Sequence, residues 1–151
     1  MLKIPKKYSL ALSLALSVLF FAACVHVSIR LPHITETLIN LKDRFPAGGS
    51  GTVLLLAYLI LATVTLADVL LFVLLLRVRQ ELGFTETSIA LVRAIAWCCM
   101  LCGLVFAALG YYFLISFAVA FAAVFLGICL RVVKNVLEEA TEIKSENDLT
   151  V

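Results

Sequence analysis

The sequence predicts an all-α integral membrane fold, a bundle of four membrane-spanning helices with both chain ends on the cytoplasmic side. Three observations carry that prediction. Of 151 residues, 64% are hydrophobic and 15% charged, where a soluble domain runs at roughly half apolar and a quarter charged. The apolar residues gather in runs of span length, since about 20 are needed to cross about 30 Å of hydrocarbon. Lysine and arginine mark alternate ends of those runs. A soluble fold of this size has too little interior to hide so much apolar surface.

The chain reads as one membrane domain over residues 1–151, and its elements follow in order. The first run covers 8–29, after Lys3, Lys6 and Lys7 and before Arg30. The second covers 52–76 and stops at Arg77 and Arg79. From Ala94 to Leu130 the apolar sequence is continuous, too long for one span and right for two. Gly110-Tyr111-Tyr112 near its middle supplies a helix breaker and aromatics suited to the interface. The third span is therefore read as 88–109 and the fourth as 113–133, joined as a tight hairpin, with a tail over 134–151.

The connections differ in kind. Between Arg30 and Gly51, the residues Ile34, Leu38, Ile39 and Leu41 recur at roughly helical spacing among charges, flanked by Pro32 and Pro46. That pattern predicts a short amphipathic helix lying on the outer membrane surface. Between the second and third spans, Gly83 suits a left-handed helix end and Thr85 suits the cap of the next helix.

Orientation follows from the basic residues. With the N-terminus inside, Lys3, Lys6, Lys7, Arg77, Arg79, Arg93, Arg131, Lys134 and Lys144 fall on the cytoplasmic side. Arg30, Lys42 and Arg44 fall outside, a bias of nine to three. A basic start followed by an apolar run also describes a signal peptide, and Phe21-Ala22-Ala23-Cys24 resembles a lipoprotein cleavage site with a poor first residue. The run continues through Val25 to Ile29. An uncleaved anchor helix is the expectation, and a lipidated Cys24 the alternative.

Few residues offer chemistry. Asp68 lies inside the second span, on the order of 10–13 Å below the cytoplasmic surface by helical rise. An ionisable group there costs at least about 2.5–3.5 kcal/mol on insertion scales and ordinarily faces the bundle interior with a partner. Ser13 and Ser17 on the first span, and Cys98, Cys99 and Cys102 on the third, fall at similar depth. Arg93 is the obvious charge for Asp68, but helical side chains lean toward their own N-termini, which draws the two apart. The bland reading of Asp68 is a hydrogen-bonding acid that fixes helix packing; the sharper one is a group that responds to a proton, ion or ligand.

Ser9, Ser13 and Ser17 recur at every fourth position, as do Cys99, Gly103 and Ala107, and Ala118 and Ala122. Such stripes let helix backbones approach closely in lipid and are read as packing seams, within one chain or between copies in a homo-oligomer. Five cysteines invite a metal or redox idea. The Cys99–Cys102 pair lies on an apolar helix without the turn that zinc or thioredoxin-like sites use, and buried cysteine commonly behaves as a small hydrophobe. His26 and His33 read as interface residues. No cofactor and no metal is expected. Nucleophile–base pairs, phosphate loops and paired carboxylates are missing, and the extramembrane segments are too short for a cleft, so no enzyme is expected. The formal charge of +2 is too small and scattered for direct nucleic-acid binding.

In the tail, Val133, Val136, Leu137, Ala140 and Ile143 fall mainly on one side, and Lys134 and Glu138 form an i,i+4 pair. The fourth helix is expected to continue as an amphipathic helix to about Asn147. Glu138, Glu139, Glu142, Glu146 and Asp148 outweigh Lys144. Such an end is repelled by anionic lipid and suits a basic protein surface, if it is more than a solvated helix end. The stretch from Leu130 to Val151, ending in Glu146-Asn147-Asp148-Leu149-Thr150 and closing a four-span chain of this length, resembles the bacterial membrane family called Domain of Unknown Function 2975. Members often have genes beside small helix-turn-helix regulators of the Cro/cI type. The resemblance implies a bacterial inner-membrane protein that works with such a regulator, and it implies no activity.

The leading expectation is a non-enzymatic membrane sensor or regulator. Its bundle would respond to membrane state, a lipophilic ligand or protonation at Asp68. Its cytoplasmic surface, from Arg77 and Arg79 to Arg93 together with the acidic tail, would hold a small DNA-binding partner. The alternatives are a small oligomeric transporter or channel component using Asp68, and a structural subunit of a membrane complex.

Overall fold

A computed structural model describes residues 6–41, 49–80 and 85–149, with backbone alone at 6, 7, 144, 145 and 147–149. It contains four helices in order: α1 (Lys6–Asn40), α2 (Gly49–Arg79), α3 (Glu86–Gly110) and α4 (Ile115–Leu149). All four are long and apolar enough to cross a membrane, and the chain is a multi-pass, all-α membrane protein.

The surface is the inverse of a soluble protein's. Leu19, Leu66, Leu104, Phe121 and Leu126 lie exposed, while Ser17, Thr35, Asp68, Ser88 and Ser116 are buried. In α2, made almost wholly of large apolar residues, the buried positions are Gly49, Val53 and Asp68. Lipid tails are as apolar as leucine, so burying leucine gains little there. A polar group exposed to hydrocarbon is costly, and close packing favours small residues.

The helices pack in chain order. Among the described residues α1 packs on α2, α2 on α3 and α3 on α4. The α1 and α4 backbones do not come together, so the four helices form an open array rather than a closed ring. The tightest seam joins α3 and α4. A side chain at Gly103 would meet Val124 Cγ2 at 2.6 Å and the Ala120 carbonyl at 3.2 Å. One at Gly127 would meet Met100 Cγ at 2.9 Å and the Ala96 carbonyl at 3.3 Å. At the turn, Gly110 lies under the Phe117 ring, 2.7 Å from where its Cβ would stand. These pairings run in opposite chain directions, so the hairpin is antiparallel. The Tyr111 and Tyr112 rings meet edge to face at 5.3 Å in the turn.

Three expectations need correction or placement. The segment after Arg30 is not a separate surface helix, because α1 runs without interruption through Pro32 to Asn40. Thr35 Oγ1 donates to the Leu31 and Pro32 carbonyls at 3.0 and 2.9 Å, drawing the chain into a continuing helix just past the proline. At 35 residues the helix is about 52 Å long, more than a bilayer core needs. Within the chain, the α4 side of the seam is Ser116, Ala120 and Gly127, which are buried, whereas Ala118 and Ala122 are exposed. For that pair the expectation of a seam within one chain is corrected, and the alternative of a seam between copies stands. Ala120 and Gly127 are the residues in phase with Gly103 and Ala96 across the hairpin. Thr85 caps α3 as expected, accepting from the Ser88 N–H at 3.4 Å. Gly83 lies outside the described residues.

Gly103→Leu should lower the stability of the detergent-solubilised protein by about 1–3 kcal/mol, the usual effect of overpacking. Ala118→Leu, on the exposed side of α4, should stay within about 0.5 kcal/mol. Thermal unfolding of the two variants beside the wild type checks both.

Candidate functional site

The candidate site is an apolar groove of about 850 Å³ that draws lining residues from all four helices. It exists because α1 packs on α2 alone. The buried residues of α1 are Ser17, Cys24, Leu31 and Thr35, spaced by seven, seven and four, a narrow seam of one helix against one neighbour. Between α1 and α4 nothing closes the array, and Leu16 and Phe20 of α1 face Ala123 and Leu126 of α4 across the opening. Ile95, Cys98 and Cys102 of α3 form part of its wall.

The groove's polar feature is a buried pair. Ser17 Oγ donates to Asp68 Oδ1 at 2.8 Å, and the two residues are 5% and 7% exposed. Asp68 thus has a neutral donor rather than a cation as partner. Arg93, the candidate from the sequence, is turned to α4, where its Nη2 lies 2.9 Å from Glu138 Oε1. The remaining hydroxyls near the groove are used within their own helices: Ser13 Oγ donates to the Ser9 carbonyl at 3.1 Å, and Thr63 Oγ1 to the Leu59 carbonyl at 2.8 Å. Such back-bonding removes the hydroxyl hydrogen and leaves the lone pairs as acceptors. The groove therefore offers acceptors in an apolar trough, arranged for an apolar body bearing one hydrogen-bond donor.

Of the residues singled out in the sequence, Asp68, Ser13 and Ser17 meet in this groove, and Cys98, Cys99 and Cys102 line it beside them. Cys24 is buried within α1. All five cysteines are free thiols, and among the described residues no three histidine, cysteine or acidic side chains converge as metal ligands would. Arg77 and Arg79 close the last turn of α2, where positive charge favours the carbonyl end of the helix. Glu139, Glu142 and Glu146 are exposed along the α4 extension. Asp148 lies in the same helix, its side chain outside the described residues.

Glu138 bridges Arg93 on α3 and Lys134 on its own helix, the latter at 2.6 Å. The i,i+4 spacing revealed the Lys134 pair. The Arg93 pair needed the register of the hairpin. Two further residues were not singled out for a role: Trp97, over whose ring Arg131 lies at 5.2 Å, and Asn135, which accepts from Lys134 Nζ at 3.2 Å.

Ser17→Ala removes the only hydroxyl donated to Asp68 among the described residues and should cost about 1–2 kcal/mol. Ser13→Ala, which loses only a bond within its helix, should stay within about 0.5 kcal/mol. Detergent-phase thermal unfolding distinguishes the two.

No curated protein and no solved structure matches the chain. Residues 4–151 match the model of a family described as "Protein of unknown function (DUF2975)". The match covers all but the first three residues, and the chain belongs to that family.

Proposed function

We propose that this protein is a non-enzymatic membrane sensor that takes a lipophilic ligand from the side, through the gap between α1 and α4, and reads it at Asp68. The observation that supports this most is the groove: about 850 Å³, almost wholly apolar, with one buried carboxyl group on its wall. That volume lies within the range of small-molecule sites, which are mostly apolar with a few placed polar groups. The ligand class is a largely hydrocarbon molecule carrying a hydroxyl, amide or amine donor. It would take up the second lone pairs of Asp68 or displace Ser17 from it.

In this reading the chain sits in the bacterial cytoplasmic membrane with both ends inside, following the nine-to-three bias of its basic residues. The output is the α4 extension. It carries Glu139, Glu142 and Glu146 on exposed helix, suited to a basic surface on a cytosolic partner. A small DNA-binding regulator is the partner the family resemblance suggests. Glu138 pairs with Arg93 and Lys134 and so also ties the extension to α3.

Solvent extraction of the purified protein, followed by mass spectrometry, tests the ligand. A lipophilic species enriched with the wild type should fall by about tenfold or more in Asp68→Asn, as loss of a hydrogen bond to a charged or buried acceptor predicts. Ala123→Phe, which fills the groove from α4, should exclude it. Equal content in all three proteins would reduce the groove to a lipid-filled seam. For the output, deletion of residues 139–151 should abolish co-purification of the cytosolic partner in mild detergent while leaving the Arg93–Glu138 pair in place. Undiminished recruitment would sink the tail's role.

A further inference from the structure

A second pocket lies at the open end of the α3–α4 hairpin, away from the turn at Gly110. It has a volume of about 330 Å³ and is lined by Arg93 and Trp97 of α3 and by Arg131, Lys134 and Asn135 of α4. The lining residues on α3 are one turn apart, and those on α4 fall within one turn, so antiparallel packing brings three cations and a tryptophan together. The apolar run of α4 ends at Leu130, one residue before the pocket begins. The pocket therefore stands at the boundary where hydrocarbon gives way to headgroups, the level at which tryptophan is enriched.

The charge here is only partly satisfied. Glu138 pairs with Arg93 and Lys134, and no acid is among the described residues that line the pocket itself. Arg131 lies over the Trp97 ring at 5.2 Å, which holds its guanidinium in place and leaves its edge donors available. Three cations against one carboxylate leave an excess of two positive charges. The other acids nearby, Glu86 and Glu142, line the neighbouring cavity with Arg93. That cavity adjoins the α4 extension, so positive charge lies toward the bilayer and negative charge away from it. Below the pocket, Trp97, Leu101 and Leu104 form an exposed stripe at i, i+4 and i+7 along α3, running toward the centre of the membrane.

We propose that this pocket binds the phosphate of an anionic membrane lipid, with an acyl chain of that lipid lying along Trp97, Leu101 and Leu104. Phosphate suits the donors: arginine offers a planar fork for it and lysine a point charge. Basic pockets between membrane helices commonly take anionic headgroups. The apolar stripe selects a lipid over free phosphate, because a soluble anion gains nothing from it. This site is separate from the Asp68 groove and does not depend on the ligand proposed there.

The chain's single tryptophan is Trp97, so its fluorescence reports on the pocket directly. The full-length protein is reconstituted in vesicles of brominated phosphatidylcholine, which quench it. Unbrominated phosphatidylglycerol or unbrominated phosphatidylcholine is then substituted stepwise. Recovery should come at about five- to tenfold lower mole fraction of phosphatidylglycerol, each cation near the surface being worth about a factor of five. The double substitution Arg131→Gln with Lys134→Gln should bring the two lipids to parity. Glu138→Gln, which frees Arg93 and Lys134, should increase the preference by about fivefold, and it decides the matter alone if the double variant does not fold. Each comparison is a ratio within one protein, so changes in intrinsic Trp97 emission cancel. Equal recovery by both lipids in the wild type, or a preference unmoved by Glu138→Gln, overturns the proposal. Inorganic phosphate in the buffer should leave the curves unchanged; if it removes the preference, the site belongs to a soluble anion instead.

Discussion

Hydrocarbon as solvent is the constraint on which this structure depends. In water a fold gathers its leucines; in lipid they can face outward at no loss, and here Leu31 is the only leucine buried among the described residues. What must be gathered is what lipid cannot accommodate. Ser17, Thr35, Asp68, Ser88 and Ser116 are buried, and glycine and alanine lie where backbones touch. The helical backbone satisfies its own hydrogen bonds, so each span can stand alone in the membrane, and the few interhelical contacts decide the rest.

Those contacts are unevenly distributed. The α3–α4 hairpin is held by a glycine seam at Gly103 and Gly127, by the close turn at Gly110 and by the Arg93–Glu138 pair. At the other end of the array, α1 meets only α2, through a narrow stripe and the Ser17–Asp68 bond. The hairpin is the rigid part by this measure, and α1 the part held by least. The groove lies between them. An opening bordered by the most weakly attached helix is the easiest to widen, because widening it breaks little besides apolar contacts that lipid can replace. The same bond that positions Asp68 also holds the side of its opening.

Much of this was legible in the sequence, and the failures have physical causes. Four spans follow from run length alone, and the hairpin from Gly110-Tyr111-Tyr112. Depth along each span was enough to bring Asp68 to the level of Ser17 and Cys98. What depth does not give is rotation about the helix axis. The small residues of α4 form more than one stripe, and Ala118 with Ala122 looks as good a seam as Ala120 with Gly127 until α3 supplies a partner in phase. Pro32 misled for another reason. A proline after an arginine at the end of an apolar run reads as a boundary, yet the Thr35 hydroxyl bonds the Leu31 and Pro32 carbonyls and the helix continues past it. The open side of the array left no sequence signal at all, since lipid-facing and groove-facing leucines are chemically alike.

The order of charge along α4 ties the two ends of the structure together. Arg131 and Lys134 come first after the apolar run, then Glu138, Glu139, Glu142 and Glu146. Reversed, with acids at the hydrocarbon edge, the same composition would place carboxylates against lipid phosphates and push the helix away from the surface. As written, cations meet the headgroup level and acids extend past it on a helix that simply continues. Glu138 stands at the change of sign. From there it reaches back to Arg93 and Lys134, so the extension leaves the membrane fastened to α3 rather than swinging from α4 alone. Trp97 on the lipid side of α3 and Cys98 on its groove side lie one residue apart on the helix to which the extension is fastened.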